Sequence, residues 1–125
     1  DDYAHHPSEV KASLLAIKEA YNNRIITLFQ PHLFSRTLNF YEDFSDALSL
    51  SDVLILLDIY PAREEPIFGV DSKMLLDLCT NDSKIIFKNN ELLSHLKDNK
   101  KDVVVTLGAG NISDLVKPIA SILDI

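Results

Sequence analysis

The stretch Arg24-Ile25-Ile26-Thr27-Leu28-Phe29-Gln30-Pro31-His32 decides the fold. Through Phe29 it is almost continuously apolar and rich in β-branched side chains, the pattern of a strand covered on both faces; Gln30, Pro31 and His32 then end it abruptly. Three later runs repeat the pattern: Val53 to Asp58, Lys84 to Phe87 and Val103 to Leu107. None alternates cleanly between apolar and polar residues, so all four are expected to be central strands of a parallel sheet.

Segments of helical period fill the spaces between these runs. Pro7 suits a first helical position, where no amide donor is needed, and Val10, Leu14, Ile17 and Tyr21 then form one inward stripe. Leu38, Tyr41, Phe44 or Ser45, and Leu48 repeat that stripe, while Asp71 is a cap for a third helix carrying Met74, Leu75 and Leu78. Asn89 can cap a fourth helix with Leu92, Leu93 and Leu96 inward; the last runs from about Ile112 through Leu115, Ile119 and Ile122, and Pro118 is expected to bend it. Alternation of helix and strand along the whole chain predicts an α/β fold, a Rossmann-like three-layer domain with a mostly parallel central sheet flanked by helices. In such sheets ligands gather where strands end and helices begin, so the loops after the strands carry the functional information.

Composition narrows the function. A length of 125 residues suits one domain, and 46% apolar with 25% charged residues is ordinary for a folded protein. Nineteen acids against 12 Lys+Arg give a formal charge of −7, which offers no general field for a phosphate backbone, so nucleic acid is not an expected partner. No apolar run approaches the roughly 18 residues that span a bilayer, so no membrane is expected either. The single cysteine, Cys79, lies among apolar residues and reads as a buried structural thiol, in keeping with a reducing cytoplasm. The chain opens on Asp1-Asp2-Tyr3 with no initiator Met, and a dense polar cluster stands at that end. It is therefore expected to be one domain, residues 1–125, of a longer protein.

Polar chemistry is concentrated in four loops. Asp1-Asp2-Tyr3-Ala4-His5-His6-Pro7 sets acids, a phenol and two imidazoles before a helix start, where free amides favour anions; the plainer alternative is that they cap the helix. Two adjacent histidines have no convincing further ligands, so no metal site is assigned. In Gln30-Pro31-His32-Leu33-Phe34-Ser35-Arg36-Thr37 a guanidinium stands beyond a strand end, where it can grip a carboxylate with two hydrogen bonds or, equally, pair with Glu42 or Asp43 on the surface. Gly108-Ala109-Gly110-Asn111 concentrates two of the chain's three glycines, so the turn needs positive φ or close backbone approach. As a dinucleotide fingerprint it is weak, because Ser113 replaces the third glycine. Asp58-Ile59-Tyr60-Pro61-Ala62-Arg63-Glu64-Glu65-Pro66 could line the same edge, but its prolines favour an exposed connection. No Gly-x-x-x-x-Gly-Lys-Ser/Thr phosphate loop and no serine nucleophile elbow occurs.

Taken together, residues 1–9, Phe-Gln-Pro-His-x-Phe-Ser-Arg-Thr at 29–37, Asp-Ile-Tyr-Pro-Ala-Arg-Glu-Glu-Pro-Ile at 58–67 and Gly-Ala-Gly-Asn-Ile at 108–112 resemble the C-terminal domain of the Mur ligases, and of the UDP-N-acetylmuramate–L-alanine ligase family among them. The resemblance spans the chain. It implies a three-domain enzyme of the bacterial cytoplasm whose N-terminal domain holds the UDP-sugar and whose central domain carries the phosphate loop. In that family ATP and Mg2+ convert the muramate carboxylate of UDP-N-acetylmuramate to an acyl phosphate, which the amine of L-alanine attacks in peptidoglycan synthesis. The resemblance further implies that Asp2 meets the ATP ribose and that Tyr3, His5, His32 and Arg36 surround the alanine. His5 is the catalytic candidate, since a neutral imidazole beside the amine can take its proton. The domain alone is expected to be inactive and to require no cofactor itself. Leu33 stands where many members carry arginine, which puts a two-arginine clamp in doubt. Two alternatives remain open: the C-terminal domain of the murein tripeptide recycling ligase, and a non-catalytic anion- or nucleotide-binding module.

Overall fold

The structure is a computed structural model that describes residues 2–88, 93, 96 and 102–123. Helix α1 (Pro7–Ala20) leads to strand β1 (Ile25–Phe29), followed by α2 (Phe34–Leu48), β2 (Val53–Leu56), α3 (Ser72–Leu78), β3 (Ser83–Ile86) and β4 (Val103–Leu107). A 3-10 helix, Asn111–Leu115, runs directly into α4 (Val116–Ile122). The strands form one four-stranded sheet in the order β3-β2-β1-β4, and every pairing is parallel, as the apolar runs predict.

The sheet has two covered faces because successive side chains point to opposite sides. Ile25 and Phe29 of β1, with Leu54 and Leu56 of β2, meet Val10, Leu14, Phe44, Leu48 and Leu75 from α1, α2 and α3. Ile26, Leu28, Ile55 and Leu57 take the other face with Leu93, Leu96, Ile112 and Ile119. All five residues of β1 are buried, which explains why its sequence shows no alternation. Strand β3 departs from the expected central position. It is an edge strand, and Ser83, Lys84 and Ile85 are exposed because nothing pairs with their outer side among the described residues.

Three members of the expected helical stripes also face outward. Tyr21 is 52% exposed as the residue that caps α1, and Leu78, the last residue of α3, is 45% exposed. Leu38 is 41% exposed, and the non-helical backbone of Phe40 shifts the phase of α2 beyond it, so that both Phe44 and Ser45 turn inward. Pro118 does not bend a long helix. It stands in the first turn of α4, where an amide has no intrahelical acceptor to lose, and the change from 3-10 to α geometry precedes it. The expected cap Asn89 and the inward Leu92 lie outside the described residues. Cys79 is buried, its thiol donates to the Leu75 carbonyl at 3.3 Å, and burial pushes its pKa up, as a structural thiol requires.

Strand order reverses between β1 and β4, and the buried side chain of Gln30 ties the two together there. Its Nε2 donates to Asn111 Oδ1 at 2.5 Å and its Oε1 accepts from the Ile112 amide at 2.9 Å. Both glycines of the following turn exist to accommodate it. Gly108 adopts φ 148° beside the Gln30 carbonyl. At Gly110 an added Cβ would stand 2.6 Å from Gln30 Oε1 and 2.7 Å from Tyr60 Cγ. The Gly-x-Gly turn is thus packed against protein, and no dinucleotide role is needed to explain it. Gly110→Ala is expected to destabilise the fold by about 1–3 kcal/mol through overpacking; an unchanged urea midpoint would contradict this account of the turn.

Candidate functional site

The polar loops converge at the carboxyl edge of the sheet because backbone hydrogen bonds join them. The N-terminal segment lies parallel to β4: the Asp2 amide donates to the Thr106 carbonyl at 2.8 Å and the Gly108 amide to the Asp2 carbonyl at 3.1 Å. The loops after β1 and β2 form a second bridge, in which the Leu33 amide donates to the Tyr60 carbonyl and the Tyr60 amide to the Pro31 carbonyl, each at 2.8 Å. Residues distant in sequence are thereby fixed side by side.

The two adjacent histidines divide between structure and site. His6 is the N-cap of α1 and closes a capping box with Glu9, whose Oε1 accepts from the His6 amide at 3.1 Å. Its ring packs against Phe40. His5 turns the other way: its Nδ1 donates to the Tyr3 carbonyl at 3.0 Å, the tautomer that leaves Nε2 free to accept a proton.

Four rings then follow one another across the edge. Tyr3 meets His5 edge-on at 5.4 Å, His5 lies 5.9 Å from His32, and His32 stacks on Tyr60 at 5.4 Å. Beside them stands Arg36, whose Nη1 is buried without a hydrogen-bond partner among the described residues. The surface pairing with Glu42 or Asp43 does not form; Lys73 pairs with Asp77, and the contact of His5 Nδ1 with Glu9 Oε1 at 3.8 Å is an ion pair only when the imidazole is protonated. Burial holds the His32 imidazole below its ordinary pKa of 6.5, with further lowering by the Arg36 charge and then by His5. Near neutral pH it is therefore an uncharged ring, and its Nδ1 is also buried without a partner among the described residues.

Sequence reasoning set Tyr60 and Glu64 in an exposed connection, and here it needs correction. The backbone bridge to Leu33 and Pro31 draws Tyr60 under His32. A turn with Ala62 at φ 53°, closed by the Glu64 amide on the Pro61 carbonyl at 2.9 Å, returns Glu64 to the start of α2. There its carboxylate accepts from both the amide and the hydroxyl of Ser35. These bonds, the hydroxyl first, hold Glu64 below its ordinary pKa of 4.5, with help from the Phe34 amide and the Arg36 charge. Helix α2 begins at Phe34 behind Leu33, which has no side chain able to cap it. Leu33 itself adopts φ 73°, a backbone state costly for leucine, so that its carbonyl can accept from the Thr37 hydroxyl while its amide reaches Tyr60.

Asp2 stands apart from the rings. Its carboxylate accepts from the Ala4 amide and the Ser13 hydroxyl, at one end of a shallow cleft of about 450 Å³ floored by Ala12, Ala16, Ile17 and Val105. Among the described residues no group of three or more His, Cys, Asp or Glu could hold a metal ion, and no helix is long and apolar enough to cross a membrane.

Fold and edge together define a parallel α/β domain whose rim sets a guanidinium nitrogen, without a partner among the described residues, beside a row of imidazole and phenol rings, a surface suited to a small carboxylate-bearing molecule. The chain belongs to the Mur ligase family: residues 1–110 match the family model described as "Mur ligase, glutamate ligase domain". It is 54% identical over 124 residues to the UDP-N-acetylmuramate–L-alanine ligase of Parabacteroides distasonis, an alignment covering 98% of this chain and 27% of that protein. The crystal structure of the UDP-N-acetylmuramate-alanine ligase of Thermotoga maritima superposes with a TM-score of 0.69 at 26% identity, over 97% of this chain and 25% of that one. The murein peptide ligase of Psychrobacter arcticus has the same fold, with TM-score 0.69 at 17% identity over 98% of this chain and 26% of that one. The chain therefore spans about a quarter of the length of these relatives.

Because the native state binds the His32 proton less tightly than the unfolded chain does, this residue makes stability fall as pH drops below 6.5, until the folded-state pKa is passed. An NMR titration of the imidazoles is expected to place the His32 midpoint below 6.5 and Arg36→Ala to move it upward. A midpoint indifferent to Arg36 would show that the two side chains do not sense each other.

Proposed function

We infer that this domain presents L-alanine to the reaction centre of an ATP-dependent ligase that joins it to UDP-N-acetylmuramate, through an acyl phosphate, in peptidoglycan synthesis in the bacterial cytoplasm. The observation that carries this reading is the buried Arg36 Nη1, left without a partner among the described residues, beside the Tyr3–His5–His32 rings. A guanidinium in that state is ready to accept a carboxylate without first breaking a bond of its own. The 54% identity to an alanine-adding ligase supports the choice of amino acid, and 17% to the murein peptide ligase supports only the shared fold.

Each side chain has a chemical task in this reading. Arg36 binds the alanine carboxylate and leaves the amine directed at the rings. An ammonium cannot attack a carbonyl, so its proton must leave first; His5, with Nε2 bare, accepts it, and the uncharged His32 avoids repelling the cation. Tyr3 closes the end of the row beside His5. Leu33 contributes no charge, so Arg36 acts without a second arginine from this loop. The cleft at Asp2 fits a nucleoside: its apolar floor suits a base, and its carboxylate can accept from ribose hydroxyls. ATP with Mg2+ supplies the phosphoryl group that activates the muramate carboxylate. The activated carboxylate is open to hydrolysis, so a domain that brings the amine and excludes water serves both positioning and protection. The N-terminal and central domains of the longer enzyme supply the UDP-sugar site and the phosphate loop.

In the full-length enzyme Arg36→Ala is expected to raise KM for L-alanine at least ~10-fold, the equivalent of one lost charge-assisted hydrogen bond, while KM for ATP changes less than about 2-fold. An unchanged alanine KM would refute the clamp.

A further inference from the structure

We propose that Glu64 is a positioning residue for amino-acid recognition, because its carboxylate, delivered by the β2–α3 loop, fixes the first turn of α2 and with it Arg36. The proposal rests on the reading of Arg36 as the carboxylate clamp and adds the device that holds it.

Helix α2 begins under conditions that would leave its first turn loose. Leu33 occupies the N-cap position at φ 73° and offers no side-chain acceptor, so the amides of the first turn find no local partner there. Glu64 supplies that acceptor from 29 residues away: the Ser35 amide reaches Oε1 at 3.1 Å and the Ser35 hydroxyl reaches Oε2. Ser35 immediately precedes Arg36, so a bidentate grip on Ser35 restricts the backbone from which the guanidinium projects.

The loop is shaped to deliver this carboxylate. Tyr60 is tied by its amide and carbonyl to Pro31 and Leu33, and the Pro61–Glu64 turn, with Ala62 at φ 53°, reverses the chain within four residues. Glu64 is also close enough for Arg36 to influence its ionisation, yet it makes no ion pair with Arg36 within 4 Å. The guanidinium thus lies near an anion without being neutralised by direct contact with it. A carboxylate paired directly to Arg36 would compete with the substrate; one bound to Ser35 does not.

The test is a double-mutant cycle in the full-length enzyme with L-alanine, ATP and UDP-N-acetylmuramate, joined to hydrogen exchange of the 33–37 segment. Glu64→Ala is expected to raise the alanine KM about 10-fold in the presence of Arg36 and less than about 2-fold when Arg36 is already alanine, with KM for ATP unchanged in both. Glu64→Gln, which retains an acceptor oxygen for Ser35, should recover part of the lost affinity, and Glu64→Ala should speed exchange of the Ser35 and Arg36 amides. Equal losses in both Arg36 backgrounds, or no alanine effect beside an intact Arg36, would overturn the proposal. Should Arg36→Ala alone leave the alanine KM unchanged, the clamp fails; unchanged exchange after Glu64→Ala overturns the positioning role independently, since that readout needs no substrate.

Discussion

A single buried amide holds the working edge of this domain together. Gln30 stands where strand order reverses, the place at which open parallel sheets leave a crevice, and it spans that point with hydrogen bonds to Asn111 and Ile112. A buried donor and acceptor of this kind must both be satisfied, and the loss of either leaves an orphan costing about 1–3 kcal/mol. The constraint explains Gly110, whose missing side chain makes room for both Gln30 and Tyr60.

Those loops have no core of their own and depend on borrowed partners. The N-terminal segment borrows the free edge of β4, the β1–α2 loop borrows the backbone of Tyr60, and the first turn of α2 borrows the Glu64 carboxylate. Each loan crosses a long interval of sequence and brings a different chemical group to the rim. The outcome is a row of rings beside a guanidinium nitrogen that has no partner among the described residues, carried on loops held by main-chain bonds. A rim of this kind suits recognition of a small zwitterion, because few groups need to be ordered when it binds.

Much of the architecture was legible in the sequence. The continuous apolar runs located all four strands, and Pro7 marked the start of α1. The edge position of β3 was not legible, because Lys84-Ile85-Ile86-Phe87 is as apolar as a central run and only strand order decides which runs lie outermost. Tyr21, Leu38 and Leu78 kept helical spacing yet face solvent, two at helix ends and one ahead of the irregular Phe40, where ideal periodicity no longer applies. At the site, His32 and Arg36 were readable beyond a strand end and Tyr3 and His5 before a helix start, while only the family resemblance grouped the four. The parts played by Tyr60 and Glu64 were hidden, since prolines in their loop suggested exposure while the contact depends on a backbone bridge that no local pattern announces. The separate duties of His5 and His6 were equally invisible, as neighbouring identical residues differ only in the direction the chain gives them.

The account stands on Arg36 as the group that receives an amino-acid carboxylate at this rim. A crystal structure of the full-length enzyme with L-alanine bound measures that contact directly. The account predicts the alanine carboxylate within hydrogen-bonding distance of the Arg36 guanidinium and its amine facing His5 and His32. Alanine bound elsewhere, with Arg36 still unpartnered, would contradict it.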